Sequence, residues 1–452
     1  MTILETAAAL RASKLSSVEL VKDSLRRIEN AQPAWNAFLT ITAGQALREA
    51  QEADDELRKG KDRGPLHGIP IAHKDLFFTR GVKTTAGSKV YADFVPDFDA
   101  TAVRKLRDAG AVMMGKTGLH ELAYGITSNN PHFGPVRNPR DPERIPGGSS
   151  GGSGAALAGG LVLMATGTDT GGSIRCPAAY CGIVGLKPTF GLVSRFGVFP
   201  LGYSLDHIGP MTTSVRDAAA ALQVIAGYDA RDAGSVRRPA DNYMPPREVS
   251  LMGVRIGLPA NFYFDRIDAE VRVAIQAMAK RAAALGAIIT EVRVPDIAQL
   301  NLVARVTLLA EASTVHEKNL ADRSRFGADV LALLDAGRLV PATDYLHAQR
   351  ARRRFAAEFR ALFHQVDCLF APAAPIVAPR IGEATVLING EAEDARLATT
   401  RFLRGINAVG LPVLSVPAGN HSSGLPMGLQ IIGKQFSEAA LLRVGAALED
   451  VK

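Results

Sequence analysis

Apolar and polar positions along the chain alternate between helical and strand-like spacing. The helical periods predict helices over residues 16–31, 43–58, 99–108, 271–285 and 441–448. Short apolar runs bounded by turn residues predict strands over residues 69–72, 111–114, 254–258, 287–294, 368–372, 412–417 and 427–433. Strands that alternate with helices are typical of an α/β protein. The sequence shows neither an internal repeat nor a clear linker between domains. The pattern is therefore equally compatible with one large domain and with two domains.

Local signals refine three of these elements. Ser16 and Glu19 have the spacing of a capping box, in which each side chain bonds the other residue's backbone N–H. Asp99 is expected to cap the helix that follows it. The strand over residues 69–72 should carry Lys74, between two other polar residues, just beyond its C-terminal end.

The composition fits a globular protein. The 452 residues are 47% hydrophobic and 21% charged, with a formal net charge of +7. The longest apolar run, residues 155–166, is too short and too rich in glycine to cross a bilayer. The N-terminus lacks the pattern of a signal peptide, and three cysteines argue against a disulfide framework. These features predict a cytoplasmic protein with no membrane partner.

One dense basic run, RARRRF at residues 350–355, lies within a predicted helix. A nucleic-acid contact is one interpretation of such a run. Phe355, Phe359 and Leu362 add an apolar stripe at helical spacing, which favours an amphipathic helix with a solvated basic face. We therefore expect no nucleic-acid partner.

Three motif-like segments are not expected to act as motifs. GAVMMGKT at residues 110–117 matches the phosphate-loop pattern, but its middle residues favour a strand over a flexible cradle. GGSSG at residues 147–151 matches the nucleophile-elbow pattern, yet the charged, proline-rich segment before it cannot form the strand that an elbow needs. Ser149 as the nucleophile of an α/β-hydrolase site is therefore only the second-ranked interpretation of the active site. The His-Glu pair at residues 120–121 lacks the second histidine of a zinc helix, so we expect no metal and no cofactor.

One serine-centred constellation remains. In DTGGS, residues 169–173, two glycines before Ser173 allow a tight turn whose N–H groups can converge on an oxyanion. A serine needs a base to act as a nucleophile. No histidine follows nearby, but Lys74 can serve if burial lowers its pKa, and the hydroxyl of Ser149 can connect the two. An ordinary glycine turn and a solvated lysine are the competing interpretations.

These residues lie within segments that resemble the amidase signature family. The central segment is PGGSSGGSGAALAGGLVLMATGTDTGGSIRCPAAYCGIVGLKPTFG at residues 146–191. It is supported by GIPIAHKDLF (68–77), GAVMMGKTGLHELAYG (110–125), FGPVRNPRD (133–141), GLPVLSVPAG (410–419) and GLPMGLQIIG (424–433). Together the segments are spread over most of the chain.

The resemblance implies the fold and the catalytic group. The fold would be one α/β domain over residues 1–452, a mixed central sheet flanked by helices. Its catalytic core would cover about 65–215 and a variable substrate-specificity region about 250–390. The catalytic group would be a Ser–Ser–Lys triad, in which Ser173 is the nucleophile, Ser149 a bridging serine in a cis conformation, and Lys74 the base. The implied oxyanion hole consists of the backbone N–H groups of Thr170, Gly171, Gly172 and Ser173.

The implied reaction is cleavage of an amide C–N bond through an acyl-enzyme. Some relatives are amidotransferase subunits that take ammonia from glutamine to amidate aminoacyl-tRNA. They have an aspartate seven residues before the Asn of an N-x-x-G-x-P motif, here Asn407, and that position is Thr400 in this chain. The difference favours a stand-alone amidase, and the amidotransferase subunit is the alternative. Urea- or biuret-like compounds, carbamates and esters are further alternatives for the substrate.

The substrate contacts are expected from less recognisable parts of the chain. These are the region of about 300–350 and loops near residues 124–130 and 199–203. The candidate contacts are Tyr124, Gly125, Thr127 and Arg175. Arg175, together with Asp169, is expected chiefly to hold the catalytic loop. Leu302, Val306, Leu308 and Leu309 are expected in the core rather than in a pocket. The expected partner is a small-molecule amide or carbamate, and a homodimer stays open.

Overall fold

The computed structural model describes residues 1–239 and 241–450, with only the backbone of Asp450. The described strands are β1 (Phe38–Ile41), β2 (Pro70–Lys74), β3 (Val112–Thr117), β4 (Asn129–Asn130), β5 (Gly134–Pro135), β6 (Met164–Asp169), β7 (Val184–Lys187), β8 (His207–Thr212), β9 (Arg255–Pro259), β10 (Ile288–Val292), β11 (Cys368–Pro372), β12 (Thr385–Ile388), β13 (Glu391–Asp394), β14 (Val413–Asn420) and β15 (Pro426–Gly433).

The described α-helices are α1 (Ile3–Arg11), α2 (Ser17–Trp35), α3 (Ala43–Arg58), α4 (Thr101–Asp108), α5 (Gly151–Ala158), α6 (Arg175–Cys181), α7 (Val215–Ile225), α8 (Ala269–Ala284), α9 (Ile297–His316), α10 (Ala328–Arg338), α11 (Ala342–Leu362), α12 (Ala395–Thr400), α13 (Arg404–Ala408) and α14 (Glu438–Asp450). Short 3₁₀ helices cover Lys89–Tyr91, Glu121–Ala123, Glu317–Ala321 and Arg323–Arg325.

Eleven of the described strands form one mixed sheet. Their order is β1-β3-β2-β6-β8-β7-β14-β15-β11-β9-β10. β2 pairs in parallel with β3 and β6, and the strands from β6 through β8, β7, β14 and β15 pair antiparallel in turn. The hairpins β4–β5 and β12–β13 lie outside this sheet. The predicted α/β class with a mixed central sheet and flanking helices is therefore confirmed.

The helix starts show which local signals decide the fold. α2 begins with the predicted capping box: Glu19 donates its N–H to Ser16 Oγ at 3.1 Å, and Ser16 donates its N–H to Glu19 Oε2 at 2.9 Å. The prediction for Asp99 is wrong, because α4 begins after Ala100, which makes no side-chain cap. Asp99 instead accepts the N–H of Arg80 at 2.8 Å and pairs with Arg107.

The last six residues of the segment with the phosphate-loop pattern form strand β3 rather than a flexible loop. All six strand residues are buried, and the strand lies between β1 and β2 in the sheet. Lys116 is fully buried, and its Nζ donates to the Phe77 carbonyl and to Thr84 Oγ1. A lysine that is held in this way cannot reach a phosphate, in agreement with the sequence-based interpretation.

The basic run at residues 350–355 lies on α11, as predicted. Phe355, Phe359 and Leu362 are buried, so the helix packs its apolar face against the protein. In the described part of the chain, no helix combines the length and the apolar character that a membrane crossing requires.

Candidate active site

Two neighbouring strands bring predicted site residues together where the C-terminal ends of the strands meet. β2 and β6 are parallel, with Ile71 opposite Met164 and His73 opposite Thr166. Their C-terminal ends therefore meet, and Lys74 ends the first strand while residues 170–173 follow the second. The sequence predicted Lys74 just beyond its strand, whereas the structure makes it the last strand residue.

Lys74 is fully buried and contacts two hydroxyl groups. Its Nζ lies 2.8 Å from Ser149 Oγ and 2.7 Å from Thr168 Oγ1. Within the described ranges it makes no ion pair, since the carboxylates of Asp169 and Asp206 act on it only at longer range. Burial lowers the pKa of Lys74 from 10.5 to about 7, because the ammonium form loses its hydration. The side chain can therefore take and give a proton near neutral pH. Thr168 was not predicted as a site residue.

Ser149 stands in irregular chain just before α5. The peptide bond between Gly148 and Ser149 is cis. The backbone N–H of Ser150 donates to the carbonyl of Ser173 at 3.3 Å, which holds the two serine segments side by side. No hydrogen bond joins the two hydroxyls of Ser149 and Ser173 among the described contacts. Such contacts often tighten only when a substrate is bound.

The loop that carries Ser173 is folded around the Asp169 carboxylate. Asp169 accepts the N–H of Gly172 at 2.7 Å and that of Ile174 at 3.1 Å. Gly172 has φ +124°, and a Cβ there would lie 2.5 Å from Leu403 Cδ1, so only glycine fits. The Gly172 N–H is thus already donated, and this residue does not line the cavity described below. We correct its predicted place in the oxyanion hole.

The N–H groups of Gly171 and Ser173 have no protein acceptor among the described residues, and both residues line a cavity. Thr170 lines it as well, and its Oγ1 donates to Asp206 Oδ1 at 2.6 Å, which fixes the start of the loop. Three of the four predicted oxyanion donors therefore belong to residues that line this cavity, and their role stays a prediction.

Arg175 supports the loop through its contacts with Asp169 and does not line the cavity described below. Its side chain is fully buried, and its Nη2 lies 3.0 Å from Asp169 Oδ1. The guanidinium also donates to Gln430 Oε1 at 2.9 Å and to Asn407 Oδ1 at 2.6 Å. Burial by itself raises the pKa of Asp169, but Arg175 reverses this effect and holds it well below its usual range. The predicted substrate contact of Arg175 is therefore corrected to a structural role.

The cavity beside Ser173 has a volume of about 250 Å³. Of the predicted contacts, Tyr124 and Gly125 line it, whereas Thr127 lines a neighbouring cavity. Leu308 and Leu309 of α9 also line it, so the prediction that they belong to the core is wrong. The helical spacing of these leucines is the same whether the apolar face of the helix lines a cavity or packs against other side chains.

Three arginines in the same cavity were missed by the sequence analysis. They are Arg305 of α9, Arg396 of α12 and Arg404 of α13. α12 and α13 are consecutive, but α9 lies about 90 residues earlier in the chain, so no single local motif contains all three arginines. The predicted loop at residues 199–203 contributes Leu201 to this cavity and lines a second cavity of about 620 Å³ next to it.

The His-Glu pair at residues 120–121 takes part in ordinary structural contacts. His120 Nε2 lies 3.0 Å from Asp329 Oδ2, and Glu121 accepts from Ser88 Oγ at 2.7 Å. In the described ranges, no group of three or more His, Cys, Asp or Glu side chains is arranged to hold a metal ion.

Comparisons with known proteins find similarity over nearly the whole chain. The family model described as Amidase matches residues 19–442. The A subunit of the glutamyl-tRNA(Gln) amidotransferase of Thioalkalivibrio sulfidiphilus is 41% identical over 475 residues, covering 100% of this chain and 97% of that protein. One solved structure is 36% identical with a TM-score of 0.96, and the match covers 100% of this chain and 98% of the other. That structure is described as a vestigial protein complex that reveals the evolutionary origins of an s-triazine catabolic enzyme. The structure of the peptide amidase from Stenotrophomonas maltophilia is 35% identical with a TM-score of 0.86, and the match covers 99% of this chain and 96% of the other.

Proposed function

Because the chain belongs to the amidase signature family, we propose that it cleaves the C–N bond of a small linear amide through an acyl-enzyme on Ser173. Ser149 relays the proton and Lys74 is the base. Carbamates, esters and urea- or biuret-like compounds present the same acyl carbon and leaving group, so the same groups can act on them.

One observation carries this proposal. The Nζ of Lys74 is buried, has a pKa of about 7 and lies 2.8 Å from Ser149 Oγ. A lysine at the surface has a pKa near 10.4 and is charged at neutral pH, which makes it useless as a base. The buried amine is neutral often enough to accept a proton, and the hydroxyl beside it passes that proton on.

The first half of the reaction forms the acyl-enzyme. Neutral Lys74 draws a proton from Ser149, which in turn takes the proton of Ser173 Oγ. Ser173 Oγ then bonds to the amide carbonyl carbon, and the negative charge on oxygen is stabilised by the N–H groups of Thr170, Gly171 and Ser173. The proton returns through Ser149 to the leaving nitrogen, the C–N bond breaks, and ammonia or an amine departs.

The second half of the reaction frees the enzyme. Water gives a proton to the Ser149–Lys74 relay and bonds to the acyl carbon. The bond to Ser173 Oγ breaks, Oγ recovers its proton from the relay, and a carboxylic acid leaves. Each proton that the relay takes up is returned, so Lys74 and both serines end in their starting state.

The test compares two chromogenic substrates, an aryl amide and a matching aryl carbamate, with the native protein and with Ser173→Ala and Ser149→Ala. A serine-directed reagent followed by mass spectrometry identifies the modified residue. We expect the adduct on Ser173 and loss of turnover in both variants. An adduct on Ser149, with an active Ser173→Ala variant, would support the nucleophile-elbow interpretation instead.

A second candidate is supported by the names of the relatives. The first curated relatives are amidotransferase A subunits that are 41–42% identical over nearly the whole chain, which favours this alternative over a stand-alone amidase. The two functions share the release of ammonia from an amide. Against the alternative, the neutral Thr400 lines the cavity where an aspartate is expected to hold the glutamine ammonium.

Glutamine hydrolysis separates the two candidates. A stand-alone amidase should turn over its amide in isolation and treat glutamine as a poor substrate. An amidotransferase subunit should hydrolyse glutamine best, and the rate should rise when partner subunits and aminoacyl-tRNA are supplied.

A further inference from the structure

We propose that the amide substrate carries a carboxylate and no neighbouring ammonium group, and that Arg404, assisted by Arg305 and Arg396, binds this carboxylate in the Ser173 cavity. The inference rests on the proposed function and specifies its substrate class. A monoamide of a short dicarboxylic acid has this chemistry.

Arg404 is a cation next to the catalytic loop that lacks a counter-charge. A Cβ at Gly171 would lie 3.7 Å from Arg404 Cγ, so the arginine stem adjoins the oxyanion segment. Its Nη2 donates to the Thr400 hydroxyl at 2.8 Å, and no carboxylate pairs with it in the described ranges. Burial, together with Arg305, lowers its pKa to about 10, so it is still charged at neutral pH. Arg404 is half-buried. A partly desolvated charge without a partner is costly, and an anionic ligand would supply that partner.

Two further arginines strengthen the positive field at this place. Arg305 and Arg396 line the same cavity and act electrostatically on Arg404 and Tyr124. Neither forms an ion pair in the described ranges. Both side chains are exposed, so water screens their charges and each adds less to the attraction than Arg404 does.

Tyr124 adds an independent sign that a polar ligand binds here. Its ring lines the cavity, and its hydroxyl is buried without a hydrogen-bond partner among the described residues. Buried hydroxyls are nearly always hydrogen-bonded in proteins. A carboxylate oxygen of the substrate would accept the Tyr124 proton and pair with a guanidinium at the same time.

The remaining groups favour an anion over an ammonium, because three guanidiniums outnumber the one carboxylate among the described residues that line the cavity. The cavity has one acidic residue among those described, Asp394, whose Oδ1 already accepts the N–H of Leu397 at 2.8 Å as a helix cap. Thr400 is neutral, and its Oγ1 donates to the Arg396 carbonyl. A zwitterion such as glutamine would therefore bring its ammonium into a cavity with three guanidiniums and one carboxylate, whereas its analogue without the amino group avoids this repulsion.

The first test compares three amides of the same length. These are glutaramate, its neutral diamide glutaramide, and L-glutamine. We expect glutaramate to have a kcat/KM about 10- to 100-fold higher than either of the others, the range that charge-assisted hydrogen bonds provide. Malonamate and succinamate with their diamides extend the comparison to shorter chains. Equal rates for acid and diamide at every length would overturn the proposal while leaving the amidase function in place, and a preference for glutamine would overturn it in favour of the amidotransferase.

Variants then assign the preference to Arg404. Arg404→Gln should reduce the ratio of the glutaramate and glutaramide kcat/KM values about tenfold or more, and Arg404→Lys should restore part of it. Arg26→Gln, an exposed arginine on α2, is the matched control and should leave the ratio unchanged. A ratio that Arg404→Gln leaves unchanged contradicts the assignment.

A binding measurement keeps the inference testable if no amide is turned over. Ser173→Ala is titrated with glutarate and succinate, and with their neutral diamides, by calorimetry. We expect the dicarboxylates to bind about tenfold more tightly or better, and Arg404→Gln in the same background to abolish the difference. Equal binding, or no binding of any of these ligands, overturns the proposal, whatever the outcome of the labelling experiment at Ser173.

Discussion

Asp169 and Arg175 form a fully buried ion pair directly beneath the loop that carries Ser173, with 3.0 Å between Asp169 Oδ1 and Arg175 Nη2. Loss of one partner leaves an uncompensated buried charge. We predict that Arg175→Met lowers the free energy of unfolding by about 3–5 kcal/mol. Chemical denaturation measures this change, and Arg26→Met on the surface should change it by less than about 0.5 kcal/mol. A loss as small as that of the control would show that the pair is dispensable.

The pH dependence of activity should follow Lys74. In the proposed mechanism Lys74 is the base and acts when neutral, and burial lowers its pKa to about 7. The acid limb of kcat/KM should therefore rise with pH through about 7 and then flatten, because further deprotonation adds no more base. The measurement is a kcat/KM profile on an uncharged amide. A rate that still climbs steeply above about pH 9, closer to the pKa of a lysine in water, would contradict burial of the amine.

Thr168 should act as a positioning residue for Lys74. Its Oγ1 lies 2.7 Å from Nζ and accepts a hydrogen bond that favours the charged amine. Thr168→Val removes that acceptor, so the apparent pKa should fall and the acid limb should move to lower pH by about one unit, because a hydrogen bond to a charged group contributes about 1.5–3 kcal/mol. Thr168→Ser should restore the original profile. An unchanged limb in the valine variant would show that the Thr168 hydroxyl does not influence the pKa of Lys74.

The two loop glycines should respond differently to alanine. A Cβ at Gly172 would lie 2.5 Å from Leu403, whereas one at Gly171 meets nothing closer than 3.7 Å. We expect Gly172→Ala to displace the Ser173 segment and lower kcat about 10²–10³-fold, as expected when an oxyanion donor is misplaced. Gly171→Ala keeps its N–H and should retain most of the activity. Turnover and labelling of Ser173 are measured for both, and similar losses would refute the steric argument.

Thr400 should help to decide whether glutamine is accepted. Its hydroxyl accepts a hydrogen bond from Arg404 at 2.8 Å. Thr400→Asp would supply a carboxylate for an ammonium and neutralise part of the arginine charge. We predict that the ratio of the glutamine and glutaramate kcat/KM values rises about tenfold, equivalent to about 1.4 kcal/mol. Thr400→Asn, which has nearly the same shape without the charge, should leave the ratio close to that of the native protein.

The sequence could single out three site residues because each lies in a contiguous segment, whereas their roles follow from the family resemblance and stay predictions. Lys74, Ser149 and Ser173 each stand in a run of residues whose local conformation is fixed by glycine, proline or a strand end. The same is true of the capping box at Ser16. The predicted bounds of α3 agree with the structure at both ends.

The errors arise where distant segments meet. Asp99 looks like a helix cap until Arg80 and Arg107 compete for its carboxylate. Gly172 looks like an oxyanion donor until the loop closes around Asp169. The apolar period of α9 is the same whether Leu308 faces the core or a cavity. Only the packing of α9, α12 and α13 around the loop decides such cases.

The order of strands in the sheet has a consequence for how the chain is made. β7 pairs with β14, and β14 joins the first half of the sheet to the strands β15, β11, β9 and β10. On the ribosome, β7 therefore presents an open edge until residues 413–420 emerge, and such edges invite pairing with other chains. Asn407, which binds Asp169 and Arg175, arrives equally late. The loop that carries Ser173 thus reaches its final form only near the end of synthesis, so the proposed activity should appear only when almost the whole chain is present.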